Sequence, residues 1–320
     1  MQVRLLSAEE VRAALPMDQA IDAMRTAFGA LSAGDVTMPL RGQLPTDSGV
    51  TLLMPAHIKG QTEMAIKIVS IYAGNPDRGL PTIAAVVLVL DAQTGFPLAI
   101  MDGSEITAIR TGAGGGLAAD FLAREDSSVI ALFGAGVQAK AQLEALMVVR
   151  PIQEVRVVTR TEESAQRFAA ELATWENAPR VRLGISPREA VQDADIVVAA
   201  TTSDTPVFPG DAIRPGTHIN GIGSYTAEMQ EIDEVAVGSA NKIIVDSRES
   251  AMAEAGDLIF AKAEIAGELG DLVNGVVGGR ENDDEITMFK SVGVAVQDVG
   301  AANVVLANAV EQGLGTVVEL

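Results

Sequence analysis

The apolar run Val129-Ile-Ala-Leu-Phe133 breaks into Gly134-Ala-Gly136-Val137-Gln138-Ala139 and resumes as Lys140-Ala-Gln-Leu-Glu-Ala-Leu146, which reads as strand, tight turn and helix. Few folds accept that order. Gly134 permits a sharp turn, Gly136 lets backbone N–H groups approach a diphosphate, and Ala139 stands where a small residue lets helix pack on strand. Free N–H groups and the dipole at such a helix start favour an anion. Taken alone, the fingerprint also fits an ordinary strand-to-helix turn, so its surroundings decide.

Those surroundings alternate. Strand-like segments at 154–159, 181–185, 195–200, 217–222 and 242–246 are interleaved with helical stretches at 162–174 and 187–191. The pattern predicts an α/β protein with a Rossmann-type doubly wound parallel sheet over residues 116–299. At 320 residues the chain exceeds the usual size of one domain, so residues 1–115 are expected to form a smaller α+β domain that the last helix, within 300–320, returns to complete. The second strand of a dinucleotide fold normally ends on an acid that binds the NAD ribose, about 20 residues past the glycines. Here that place holds Val158-Thr159-Arg160-Thr161. An arginine with two hydroxyls suits a 2′-phosphate, which favours NADP over NAD.

Composition removes several function classes. There is no cysteine, hence no disulfide, thiolate nucleophile or Cys-based metal site, and the two histidines, His57 and His218, form no metal-spaced pair. No metal is expected. A net charge of −20 argues against nucleic acid, because phosphate binding draws on surplus Lys and Arg. The longest apolar run, 83–90, is strand-length, far short of the ~18 residues of a membrane span. The segment Met1-Gln-Val-Arg-Leu-Leu-Ser-Ala-Glu-Glu10 has no basic stretch followed by an apolar core, so the expectation is a cytoplasmic protein without membrane contact.

In the first domain, Ser7-Ala-Glu-Glu10 is a capping-box pattern, and apolar spacing from Val11 to Leu31 predicts two helices separated near Pro16. Residues 36–53, rich in Gly, Pro and Thr, read as short strands and turns. Arg41 within them is either a solvated surface arginine or a carboxylate clamp. Met64-Ala-Ile-Lys67-Ile-Val-Ser-Ile71 is a strand with one lysine inside an apolar run. Lys67 either guards an edge strand or lies on a covered face, where desolvation lowers its pKa towards neutrality and suits it to proton transfer. Residues 82–90 read as a strand buried on both faces. Arg110-Thr111-Gly112-Ala-Gly-Gly-Gly116 opens a helix of very small residues, whose weak propensity calls for close approach of another backbone or a ligand. Arg110 itself fits an anion contact or a structural salt bridge. Ser291-Val-Gly293 is a glycine turn able to reach a nicotinamide.

Together, Gly79-Leu-Pro-Thr82, Thr94-Gly95, Arg110-Thr-Gly-Ala113, Gly134-Ala-Gly-Val-Gln-Ala139, His218-Ile-Asn220, Glu231 and the tail from Lys290-Ser-Val-Gly293 to Gln297-Asp298 resemble the ornithine cyclodeaminase/mu-crystallin family, especially its archaeal-type alanine dehydrogenase and ketimine reductase branches. The resemblance covers nearly the whole chain. It implies a substrate and dimerisation domain (1–115 with 300–320), an NAD(P)-binding Rossmann domain (116–299), a homodimer, and redox chemistry at the carbon–nitrogen bond of a small amino or imino acid. Carried over by position, it implies that Lys67 is catalytic, that Arg41, Thr82 and Arg110 contact substrate, and that Arg110 and Thr111 also border the cofactor. Gly134, Gly136, Val137 and Gln138 match the diphosphate turn, Thr159, Arg160 and Thr161 the ribose site, and Ile222, Ser291 and Gly293 the nicotinamide half. Tyr225 stands where the cyclodeaminases and the alanine dehydrogenase branch carry an aspartate, and no acid lies near Leu52-Leu53-Met54 to receive a distant amino group. Both features favour a small apolar substrate or an imine reductase. The alternatives are an ornithine cyclodeaminase that recycles its cofactor internally and a non-catalytic NADPH-binding crystallin-like protein.

Overall fold

The computed structural model describes residues 2–319, which form two compact units, 2–111 with 294–319 and 112–293. Residues 112–115 and 294–299 thus fall on the other side of the boundaries read from the sequence. In the first unit the chain runs through β1 (Gln2–Leu6), α1 (Ala8–Ala14), α2 (Met17–Ser32), β2 (Val36–Thr37), β3 (Gly42–Thr46), β4 (Gly49–Ile58), β5 (Glu63–Ile71), β6 (Ile83–Asp91) and β7 (Pro97–Asp102) into α3 (Gly103–Leu122). The second unit continues with β8 (Val129–Phe133), α4 (Val137–Val149), β9 (Glu154–Val158), α5 (Glu162–Leu172), β10 (Arg180–Arg182), α6 (Pro187–Val191), β11 (Ile196–Ala199) and β12 (His218–Gly221). It closes with α7 (Glu234–Ser239), β13 (Lys242–Val245), α8 (Arg248–Glu254), α9 (Gly256–Ala261), β14 (Gly267–Glu268), α10 (Leu269–Val273) and β15 (Thr287–Lys290). The chain then returns to the first unit as α11 (Ala295–Gln312) and β16 (Thr316–Glu319).

The first sheet has the order β16-β1-β7-β6-β5-β4-β2, with β3 also paired to β4. Antiparallel register aligns Met54 of β4, Lys67 of β5, Val87 of β6 and Met101 of β7 in one row. All four are buried, with α11 packed against β4, β5 and β6, and α1 against β7. The next row, Leu53, Ile68 and Val86, points the opposite way. Leu53 and Val86 there are each 42% exposed. The expectation that 82–90 is buried on both faces is therefore corrected: β6 alternates, with Val87 and Val89 inside. Ser7 and Glu10 form the expected capping box of α1, and Pro16 separates α1 from α2.

The second sheet is parallel throughout, in the order β10-β9-β8-β11-β12-β15-β13-β14. Alternate residues of its central strands feed separate cores. Ile130, Leu132, Ile196 and Val198 pack with Leu143 and Phe168 from one set of helices, whereas Ala131, Phe133, Val197 and Ala199 pack with Val191, Val237 and Leu258 from another. Helices on both faces of a parallel sheet make it doubly wound. Among the described residues no helix is long and apolar enough to cross a membrane.

Candidate active site

In the first unit the chemistry gathers around Lys67. Its strand is central rather than an edge, flanked by β4 and β6, and its side chain is 3% exposed. Lys67 Nζ donates to Asp298 Oδ1 at 3.0 Å and stands 2.8 Å from Oδ2. Asp298 belongs to the first turn of α11, where the helix dipole favours a negative charge. Arg110, buried on α3, brings Nε to 3.2 Å from Asp298 Oδ1, an ion contact without hydrogen-bond alignment. Its Nη1 donates to Gln297 Oε1 at 2.5 Å, an oxygen that also accepts from the Val294 N–H at 3.1 Å. Burial lowers the Lys67 pKa to about 8; Asp298 opposes that shift, and the charges of Arg110 and Arg41 add to it. A lysine in that range can both give and take a proton near neutrality.

Three residues singled out in the sequence thus come together in one unit: Lys67, Arg110 and, through its charge, half-buried Arg41. Thr111 is buried next along α3. Thr82 is not brought to them within this chain. It is exposed at the start of β6, its carbonyl accepting from the Tyr72 N–H at 2.9 Å. The register partner of Lys67 is Val87, five residues further along, or roughly 16 Å at strand rise. Asp298 and Gln297 were not singled out as site residues. The available signal was a carboxylate and an amide inside an otherwise apolar helix, Val294 to Ala302.

In the second unit the glycine turn has the geometry a diphosphate requires. Gly134 has φ +106°, and a Cβ there would lie 2.4 Å from the Ala200 carbonyl oxygen. Gly136 caps α4 with no side chain bonded to the helix start, and a Cβ there would meet nothing within 4 Å. Next to it Val137 is exposed and Gln138 Oε1 is buried without a partner. An uncapped helix start and open space fit a dinucleotide's diphosphate half. At the end of β9, Thr159 Oγ1 donates to the Thr161 carbonyl at 2.7 Å, and Thr161 caps α5 by accepting from the Ser164 N–H. Both hydroxyls shape that turn, and Arg160 is exposed beside them.

Ile222, just past β12, is buried with its N–H donated to the Ala199 carbonyl at 2.8 Å. The Ser291–Gly293 turn after β15, with Gly293 at φ +87°, is clamped by a residue the sequence did not reveal, Asp246. Its Oδ2 accepts from Ser291 Oγ (2.8 Å), Val292 N (2.8 Å) and Gly293 N (2.6 Å). Its Oδ1 takes the Ser247 N–H at 2.9 Å. Burial pushes the Asp246 pKa up, and these donors pull against it. Below the loop that carries exposed Tyr225, wholly buried Lys290 pairs with Asp257 at 2.9 Å and donates to Ser224 Oγ at 2.6 Å. Gly134, Ile222, Asp246 and Ser291 all follow the carboxyl ends of parallel strands, where open α/β sheets bind ligands.

The ornithine cyclodeaminase/mu-crystallin family model matches residues 1–313. The chain is 39% identical to a Delta(1)-pyrroline-2-carboxylate reductase of Bacillus cereus over 98% of its own length and 99% of that protein's. Among solved structures it resembles the Thermococcus litoralis Delta(1)-pyrroline-2-carboxylate reductase in complex with NADH and L-proline (39% identity, TM-score 0.93, covering 98% of this chain and 99% of that one). It resembles equally an archaeal alanine dehydrogenase dimer with bound NAD (36% identity, TM-score 0.93, 100% of both chains). The second unit has a doubly wound sheet with an open glycine turn, the first has a buried lysine–carboxylate–guanidinium cluster, and with these relatives the protein is an NAD(P)-dependent oxidoreductase. The chain belongs to the ornithine cyclodeaminase/mu-crystallin family.

Proposed function

We propose that this protein reduces the C=N bond of a small cyclic imino acid of the pyrroline-2-carboxylate class to the corresponding amino acid, with Lys67 as proton donor. The observation that carries this reading is the Lys67 environment: a lysine with a pKa near 8, two guanidinium groups acting on it, and apolar Met54 and Val87 as its strand neighbours. When bound, the nicotinamide supplies a hydride to the imine carbon. Arg41 and Arg110 hold the substrate carboxylate, for which a guanidinium offers paired donors. Lys67 delivers a proton to the imine nitrogen as the carbon is reduced, and regains one from solvent. The apolar neighbours offer nothing to a distant amino group, which supports a small ring over ornithine.

On the cofactor side, Gly134, Gly136, Val137 and Gln138 would take the diphosphate, Thr159, Arg160 and Thr161 the adenosine ribose, and Ile222, Ser291 and Gly293 the nicotinamide half. Exposed Arg160 in place of an acid supports NADPH over NADH. The apolar outer row of the first unit and the dimeric archaeal relative support a homodimer.

The test follows NADH and NADPH oxidation with pyrroline-2-carboxylate, piperideine-2-carboxylate, and pyruvate plus ammonia. The expected order is cyclic imine over pyruvate and NADPH over NADH. Faster turnover of pyruvate with ammonia overturns the substrate reading, and faster NADH oxidation across the panel overturns the role given to Arg160. Ammonia release from ornithine without net cofactor change would select the cyclodeaminase reaction.

A further inference from the structure

The charges around Lys67 are unequal. Arg41 and Arg110 add positive charge to the lysine's own, and among the described residues the carboxylate that opposes them is Asp298. Neither guanidinium can discard its proton. The flanking strands contribute only Met54 and Val87 at this row, and the neighbouring residue of α11 is the neutral Gln297. Asp298 is 1% exposed and contacts both Lys67 and Arg110, so water cannot replace what it does. Gln297 fixes Arg110 from the preceding position of the same helix turn.

From this arrangement we infer that Asp298 is a positioning residue for the proposed reduction: it holds the Lys67 ammonium and the Arg110 guanidinium at fixed places and keeps the lysine protonated at working pH. The inference rests on the reading of Lys67 as proton donor. Without the carboxylate, burial and two guanidinium charges act on the lysine unopposed, and each lowers its proton affinity. The same loss leaves the site more positive, so binding of the substrate carboxylate should not weaken. Asp298 therefore governs the protonated fraction of the donor, which is a kcat effect with a pH signature.

The experiment compares pH profiles of cyclic-imine reduction for the wild type, Asp298→Asn and Asp298→Glu. In Asp298→Asn the alkaline limb should move down by at least one pH unit, a tenfold change in the lysine's dissociation constant. Its kcat should drop at least about fivefold at pH 8, as the protonated fraction falls from about one half to about one eleventh, and recover on acidification, with KM no higher than the wild type's. Asp298→Glu should return the limb towards its original position. A loss of kcat that is equal at all pH values, or a raised KM with an unmoved limb, overturns the proposal. Should the variants fail to fold, the wild type still decides: the ¹⁵N resonance of Lys67 Nζ, assigned by its loss in Lys67→Arg, and the ¹³Cγ resonance of Asp298 should step at the same pH. Independent titrations overturn the coupling, whereas Lys67→Ala with full turnover would overturn the proton-donor reading and leave the coupling standing.

Discussion

At the scale of single residues, Lys67 was legible because one ammonium inside an apolar strand must either sit on an edge or be used. The structure places it on a central strand, where desolvation lowers its pKa to about 8. The sign for activity follows. Reduction needs the ammonium, so its rate should be full below pH 8 and fall as pH rises through about 8. Oxidation of the amino-acid product needs the free amine and should rise through the same window. Opposite pH trends for the two directions, measured with saturating cofactor, check this; parallel trends sink it. Lys67→Ala should lower turnover by about 10²–10⁴-fold, the usual worth of a positioned acid or base, with the NADH dissociation constant unchanged by fluorescence titration. Asp298 was harder to read. It lies 231 residues from Lys67, and a single sequence carries no signal for a contact that only the return of α11 creates. Asp246 was illegible for the same reason: its partners at 291–293 come from another strand's end.

At the scale of elements, the alternation of strands and helices after Val129 was enough to expect the parallel sheet, because each strand feeds two cores and must be apolar throughout. Its order was not readable: β15, last in sequence, lies between β12 and β13. The glycine-rich helix calls for close approach of another backbone or a ligand, and α4 supplies the backbone. A Cβ at Gly112 would stand 2.4 Å from the Ala141 carbonyl oxygen, and one at Gly116 would stand 2.8 Å from the Ala145 Cβ. Helix propensity alone predicts that Gly112→Ala gains up to about 1 kcal/mol. The clash is with backbone, which cannot swing aside, and overpacking of that kind costs about 1–3 kcal/mol. Net destabilisation of about 1–2 kcal/mol is therefore expected in urea unfolding. A stabilised variant would show that α3 and α4 are not in contact there. The error over β6 has an equally local cause: nine residues with almost no polar side chain look buried on both faces, and strand periodicity cannot say which face a helix covers.

At the scale of the whole molecule, two properties oppose each other. The first unit leaves an apolar row open, with Leu53 and Val86 flanking Ile68 across three adjacent strands and Leu44 and Ile83 also exposed. An open patch of this kind is where an interaction surface is expected. Against it stands a net charge of −20 per chain, so two copies repel as they approach. Screening weakens that repulsion beyond roughly 10 Å at 0.1 M salt and leaves burial of the apolar row untouched. Self-association through this face should therefore tighten as salt rises, the reverse of an interface held by ion pairs. Light scattering at micromolar protein should find a dimer whose dissociation constant falls as NaCl is raised from roughly 0.05 to 0.5 M. Leu53→Lys with Val86→Lys should yield monomers, because each places a charge in the row that association must desolvate. Lysine is tolerated at both sites in the single chain, since each is already in contact with solvent. The double variant should therefore keep its helical circular dichroism and its NADH affinity while losing the dimer. If it remains dimeric, the outer row is not the contact; if it unfolds as a monomer, the dimer is part of the fold itself, and the stability of each chain depends on protein concentration.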